Sequence, residues 1–336
     1  MILIKHYEYI YQEEQMKCYT VIMQPELKQP KIVVIGSCSV DFTTYCPRLP
    51  MPGETLHGTK FMTSYGGKGA NQCVAAAKLG ANTCMISRVG DDQWGKQYKE
   101  HLSSLGISVS HTHVTPNVTT GIAQISVAKN GENQIVIVAG ANNFLSKPDV
   151  DLAKDLIKNA DILIAQLETP FETTLEAFKL NTGIKLLNAA PARADIEAIL
   201  PHCTILCVNE PEASFIVGFN VEISNVKVAL KKILEKGCDT VIITLGDKGA
   251  VYSSKNSSDC VHVFCEKVTP KDTTGAGDAF VGALATFLMY NKDKPLHQVV
   301  GAACEIATLS VMREGTQTSY PDNHSSFAEE YSFMIL

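Results

Sequence analysis

The chain has 336 residues, of which 45% are hydrophobic and 19% charged, with a formal net charge of −6. That balance is ordinary for a globular protein, and the negative charge excludes a general nucleic-acid binder, which needs a basic face, though not a local positive pocket for phosphate. No apolar run approaches the ~20 residues of a membrane span, so no membrane partner is expected.

Residues 1–30 carry tyrosines, glutamates and glutamines without a clean helix or strand period, and lack the apolar core and cleavage site of a signal peptide. They read as a flexible N-terminal extension or a mis-assigned start. Order begins at Lys31-Ile32-Val33-Val34-Ile35-Gly36, a short apolar run that fits a buried parallel strand. Ser39 and Asp41 follow at its carboxyl end, where ligands gather in open α/β sheets. The alternative for Asp41 is a turn acid satisfied by nearby N–H groups.

Residues 47–63, with Pro47, Pro50, Pro52, Gly53 and Gly58, suit a small β-flap with short segments near Leu56 and at 60–62. Next comes the turn Gly66-Gly67-Lys68-Gly69-Ala70-Asn71, which runs into an Ala-rich helix closed by Gly80. It is not a P-loop, because GxxxxGK[ST] is absent throughout. Residues 81–105 repeat the strand-then-helix rhythm. At 120–138 two alternating runs flank Asn130-Gly131, a hairpin signal; with the flap this is either a lid or an ordinary edge hairpin.

From Pro148 the alternation is steady, with helices at 149–159, 171–181 and 224–236, and strands at 161–166, 184–188, 205–208 and 240–244. The strands end in Glu168, Asn188, Asn209-Glu210-Pro211-Glu212 and Thr244-Leu245-Gly246-Asp247-Lys248-Gly249. Polar and Gly-rich strand ends are the rim of an active site on a parallel sheet, so the expected class is α/β, doubly wound, with helices on a mostly parallel sheet and a small β-lid. Gly36 opens no GxGxxG fingerprint, which excludes a Rossmann dehydrogenase.

The stretch Asp272-Thr273-Thr274-Gly275-Ala276-Gly277-Asp278 precedes an apolar helical run, Phe280, Leu284, Phe287, Leu288. A Gly-rich turn feeding a helix N-terminus aims N–H groups and the positive end of the dipole at one spot, where an anion is held. Asp278 beside such a site is placed as a general base; the other reading is a helix N-cap. Eleven cysteines are scattered through apolar runs with no CxxC pair, which reads as buried thiols in a reducing compartment. The His111-Thr112-His113 pair has no carboxylate cluster beside it and reads as a polar loop, and the sequons at Asn117, Asn256 and Asn323 as chance matches.

Together the ordered motifs resemble the two signatures and the intermediate motifs of the ribokinase (PfkB-type) sugar kinase family. They are the turn at 66–71, Gln166-Leu167-Glu168, Asn188-Ala189-Ala190-Pro191, the motif at 209–212, the run at 244–249 and the turn at 272–278, with Gly315-Thr316-Gln317-Thr318-Ser319-Tyr320-Pro321 closing the series. The resemblance implies ATP-dependent phosphorylation of D-ribose at O5, or of a related sugar or nucleoside such as deoxyribose, fructose or adenosine. A catalytically idle ligand-binding homologue is the third reading. It places Ser39, Asp41, Gly66, Gly67, Lys68, Asn71 and Glu168 on the sugar, with Ser39 where many members have Asn. Asp278 falls on the base and Gly275, Ala276 and Gly277 on the anion hole. Asn209, Thr244, Leu245, Gly246, Asp247, Lys248, Gly249, Gly277, Asp278 and Cys304 fall on the nucleotide side. It further implies Mg²⁺ near Asn209 and Glu212, K⁺ at Asp272, Thr274, Ser310, Arg313, Gly315 and Ser319, a homodimer through the β-flaps, and a cytoplasmic, also nuclear, location. The kinase domain is expected at 31–322, with lid segments near 42–63 and 119–138 and a C-terminal tail at 323–336.

Overall fold

A computed structural model of the chain describes residues 31–322 and 330–336, together with two short antiparallel strands, β1 (Tyr7–Glu8) and β2 (Tyr19–Thr20). Apart from these strands, the extension expected at 1–30 lies outside the described residues, as does the sequon at Asn323. The chain divides into two units, residues 1–30 and residues 31–336, and the second carries every candidate site residue.

Ten strands build its main sheet: β3 (Ile32–Ile35), β6 (Thr83–Gly90), β7 (Ser108–Thr115), β10 (Ile162–Ala165), β11 (Ile184–Asn188), β12 (Ile205–Asn209), β13 (Thr240–Thr244), β14 (Ala250–Ser254), β15 (Val261–Val263) and β16 (Phe333–Ile335). Their order is β16-β15-β14-β13-β12-β11-β10-β3-β6-β7. From β13 to β7 every neighbour is parallel, while β14, β15 and β16 are antiparallel.

Continuous apolar strands are buried on both faces because side chains alternate across the sheet. Thus Ile32 and Val34 enter one core with helices α1 (Lys68–Lys78), α2 (Gln93–Ser104), α8 (Ala276–Tyr290) and α9 (Leu296–Val311). Val33 and Ile35 enter the other, with α3 (Lys147–Leu152), α4 (Lys154–Lys158), α5 (Phe171–Leu180), α6 (Glu210–Val217) and α7 (Val226–Leu234). The helix expected at 149–159 is two helices, interrupted at Ala153, whose φ of −96° and ψ of 11° leave the helical region.

The lid is a second sheet in the order β5-β4-β8-β9, from β4 (Ser39–Cys46), β5 (Lys60–Gly66), β8 (Gly121–Ala128) and β9 (Asn133–Val138). The segment near Leu56 adds no strand. The lid starts earlier than expected: β4 opens at Ser39, because that strand pairs with both β5 and β8 along its whole length. Ser39 and Asp41 therefore ride on the lid and not on a rim loop of the main sheet. The C-terminal tail also needs correcting. Residues 330–336 are part of the domain, since β16 pairs with β15 and closes a sheet edge that would otherwise stay unpaired.

Among the described residues ten cysteines are free thiols, all but Cys265 buried, and no helix is long and apolar enough to cross a membrane. His111 and His113 lie on strand β7 rather than in a loop, with no third metal-ligand type gathered beside them among the described residues.

Candidate active site

The chain leaves β3 into the lid, returns through β6 and β7 on one side, and resumes with β10 on the other. The carboxyl ends of β3 and β10 thus flank the point where strand order reverses, the usual ligand crevice of such a sheet. Ser37, just after β3, donates its Oγ–H to Glu168 Oε2 at 2.5 Å, and the Lys68 N–H donates to the same oxygen at 3.0 Å. The Gly69 N–H donates to Ser37 Oγ at 3.2 Å. These bonds dock the first turn of α1 against the acid at the end of β10.

Asp41 reaches the same cluster from the lid. A Cβ at Gly66, its near neighbour on β5, would lie 2.4 Å from Asp41 Oδ2, so glycine is what leaves room for the carboxylate. Burial, then Glu168 and Asp278 nearby, push the Asp41 carboxyl up to about 7. Lys68 is the counter-ion: burial works against its charge, but Asp278, Glu168 and Glu212 outweigh it and the pKa is raised. Ser39 is not brought to this cluster. Its Oγ accepts from Asn142 Nδ2 at 3.2 Å beside Gly121, and so serves the base of the lid.

Asp278 is buried, in the first turn of α8. It is not the N-cap: that position is Gly275, at φ 78°, and no side chain caps the helix. Asn71 Nδ2 donates to Asp278 Oδ2 and Gln72 Nε2 to Oδ1, each at 2.9 Å. Burial pushes its pKa up, and Lys68 and the two amide donors restrain the rise. Among the described residues no backbone carbonyl accepts from the N–H groups of Gly275, Gly277 or Asp278, whereas Ala276 N–H donates to Thr273 O at 3.3 Å. Ala276, expected in the anion hole, is therefore engaged elsewhere. A Cβ at Gly275 would lie 2.3 Å from Thr316 Cγ2, while one at Gly277 would project into open space.

That open space continues into a cleft of about 400 Å³ lined by Asn209, Thr244, Asp247, Gly277, Phe280 and Cys304, among others. A smaller recess of about 180 Å³, lined by Lys68, Asn209, Glu212, Gly275, Gly277 and Asp278, joins it to the acid. Gly246 and Gly249 also line the large cleft, but Leu245 and Lys248 do not. Leu245 is in the core, and exposed Lys248 turns its carbonyl to His262 Nε2 at 2.8 Å. Cys304 has its thiol pKa pushed up by burial, with Cys265 nearby. Asn209 and Glu212 form a capping box: Asn209 N–H donates to Glu212 Oε2 at 2.9 Å and Glu212 N–H to Asn209 Oδ1 at 2.8 Å.

Behind the turn, Asp272 joins two loops. It accepts from Thr274 N–H through Oδ1 and from Gly315 N–H through Oδ2, both at 2.9 Å. Ser310 Oγ donates to Ala307 O at 2.7 Å and Ser319 Oγ to Thr316 O at 2.8 Å, which leaves their lone pairs available. Arg313 lies in the loop after α9, where its main-chain carbonyl is the only group able to face a cation.

Several participants are not singled out as site residues by the sequence, although Asn188 and Gln317 lie inside its motifs. Ser37, Gln72, Asn142, Asn188 and Gln317 hold site residues in place through bonds to Glu168, Asp278, Ser39, Gln72 and Asn71 respectively. A buried amide looks like any other until its partner, here up to 246 residues away, is known.

Residues 29–323 match the family described as pfkB family carbohydrate kinase. The chain is 43% identical over 295 residues to a ribokinase of Mus musculus, covering 86% of this chain and 91% of that protein. It is 37% identical over 295 residues to a deoxyribokinase of Salmonella typhi, covering 86% and 95%. Among solved structures it resembles an Arabidopsis thaliana ribokinase complexed with ribose and ATP, at a TM-score of 0.83 and 29% identity over 88% of this chain and 97% of that one. A ribokinase of Thermotoga maritima aligns at a TM-score of 0.79 and 35% identity, covering 88% and 97%. With the family match spanning residues 29–323 and a relative 43% identical over 295 residues, the chain belongs to the PfkB family of carbohydrate kinases.

Proposed function

We propose that the protein transfers the γ-phosphoryl group of ATP to O5 of D-ribose, giving D-ribose 5-phosphate and ADP. One observation carries the reading: a buried carboxylate, Asp278, lies near the acids Asp41 and Glu168 and lines a recess with Gly275 and Gly277, whose N–H groups have no backbone acceptor among the described residues. Phosphoryl transfer asks mainly for alignment and charge stabilisation. Asp41 and Glu168 accept from sugar hydroxyls and repel a substrate already phosphorylated. Asp278 takes the O5 proton as the O5–P bond forms and the bond from γ-phosphorus to the bridging oxygen breaks, with ADP leaving. The N–H groups of Gly275, Gly277 and Asp278 take up charge on the transferred group.

Mg²⁺ fits Asn209 and Glu212 only indirectly, since one carboxylate and one amide already tied in a capping box leave most ligands to phosphate and water. When bound it neutralises charge on the phosphates. K⁺ would be held near the two loops that Asp272 joins, by hard oxygens of Thr274, Ser310, Gly315 and Ser319, whose hydroxyls at 310 and 319 keep lone pairs free while donating to Ala307 and Thr316. Exposed Phe61, Met62, Ile135, Val136 and Ile137 on the lid support self-association of two copies.

An ADP-release assay over ribose, 2-deoxyribose, fructose and adenosine, with and without K⁺, tests the reading. Ribose-dependent ADP is the expected result. A higher kcat/KM for deoxyribose moves the chain to the activity named for its Salmonella relative, and no turnover with any acceptor overturns the kinase reading.

A further inference from the structure

We propose that Gln317 is a positioning residue: it fixes which end of the Asn71 amide meets Asp278 and, through Tyr98, ties that choice to lid strand β5. The inference rests on the reading of Asp278 as the base. Its evidence is a buried chain of hydrogen bonds whose direction is forced. Asp278, as a carboxylate, only accepts, so Asn71 presents its Nδ2 to Oδ2 at 2.9 Å. Asn71 Oδ1 then faces Gln317 and must receive a donor, which is Gln317 Nε2 at 2.9 Å. The second proton of that NH₂ goes to Tyr98 Oη at 3.0 Å, and Tyr98 gives its own proton to the Gly66 carbonyl at the end of β5. Gln317 Oε1 remains as acceptor and meets His101 Nε2 at 2.9 Å, which makes that nitrogen the protonated one. His101 in turn stacks on Tyr65 of β5, ring centroids 4.3 Å apart, and Tyr65 stacks on Tyr98 at 4.6 Å.

An Asn amide is nearly symmetric in shape, so packing alone does not select its orientation. Asp278 and Gln317 select it together, from opposite ends of the amide. Without the Gln317 donor, Asn71 Oδ1 is left buried without its partner and the amide is held from one end only, so its donation to Asp278 weakens and the energy of the ionised base rises. Asn71, Tyr98 and Gln317 are all buried, so water does not substitute readily for the lost bond. The sequence places Gln317 in the loop between Gly315 and Ser319, so one short loop holds both the Asp272 contact and the base's orienter. The titratable groups facing Asp278 are Lys68, Asp41, Glu168, Glu212 and Tyr320, and those facing Gln317 are His101 and Tyr98.

Gln317→Glu keeps the size of the side chain but offers only acceptors when ionised. Gln317→Met keeps the volume and removes the donor without adding charge. In both, the acid limb of kcat against pH moves to higher pH, and kcat at pH 7 falls roughly tenfold and recovers most of that loss in alkaline buffer. A merely structural role lowers Tm and kcat without moving the limb. Tyr98→Phe removes the bond to Gly66 and the acceptor of Gln317's second proton but leaves the Gln317–Asn71 bond, so KM for ribose rises severalfold while the acid limb stays in place. Folded Gln317→Glu and Gln317→Met enzymes with the wild-type acid limb overturn the proposal, and an unchanged ribose KM in Tyr98→Phe removes its lid half. Asp278→Asn, run alongside, separates the failures. If that variant is inactive while the limb is unmoved, only the role of Gln317 falls; if it turns over normally, the base assignment falls first.

Discussion

Replacing Asp278 with Asn preserves shape and both amide contacts' neighbourhood but removes the proton acceptor. Turnover is expected to fall at least ~100-fold with little change in ribose affinity, measured by steady-state kinetics and calorimetry. The two glycines of the turn separate fold from chemistry. Gly275→Ala meets Thr316 and a φ of 78°, so it should cost about 1–2 kcal/mol or more of stability, read as a lower Tm. Gly277→Ala faces open space, so Tm should hold while KM for ATP rises or kcat falls, because the methyl occupies the anion's place. Asp41 gives the pH prediction. Its carboxyl titrates near 7 in the free enzyme, being neutral below and ionised above. Sugar hydroxyls donate to the ionised form, so ribose should bind more tightly as pH rises from 6 to 8 and then level off. Calorimetry in the absence of ATP isolates this limb from Asp278, and Asp41→Asn should flatten it. A ribose affinity flat across that range in the wild type would count against Asp41 as a sugar contact.

At the level of elements, helices and strands act by what their ends present. The first turns of α1 and α8 bring Asn71 and Asp278 together, and the capping box of α6 points Asn209 and Glu212 into the recess beside them. Strand β16 acts on the nucleotide side. It pairs with β15, whose following residues Cys265, Glu266 and Val268 line the large cleft, and Phe264 N–H donates to Ser332 O at 3.0 Å. Tyr331 packs against α9 at Gly301, where a Cβ would lie 2.3 Å from the ring. Truncation before Glu330 should therefore lower Tm and raise KM for ATP more than KM for ribose. Equal shifts in both would assign β16 to stability alone. Much at this scale was legible in the sequence: the parallel strands, the hairpin at Asn130-Gly131 and the Gly-rich turns follow from apolar runs and breakers. The β16 strand was not, because three residues, Phe333, Met334 and Ile335, carry too little periodicity to announce pairing with a strand some seventy positions upstream.

For the molecule as a whole, the lid leaves one of its edge strands uncovered. All six residues of β9 are exposed, including Ile135, Val136 and Ile137. Sedimentation should show a dimer that Ile135→Lys with Ile137→Lys converts to monomer, and a wild-type monomer would refute self-association through this face. Because the lid carries Asp41 and, through Gly66, the end of the Gln317 chain, its position bears on both the sugar grip and the base.

The amino-acid sequence by itself determined the class of fold, the family and the two Gly-rich turns, since these depend on local runs, breakers and ordered motifs. It also singled out Asp41, Lys68, Asn71, Glu168 and Asp278, because acids, amides and a lysine at strand ends and helix starts have few structural duties. Only the tertiary structure placed Asp278 past the N-cap, turned Ser39 towards Asn142 and left Leu245 and Lys248 out of the large cleft. It alone revealed Ser37, Gln72 and Gln317. The reason is physical: a hydrogen bond between buried amides is a property of two side chains and their separation, and folding sets that separation by packing elements that lie far apart along the chain.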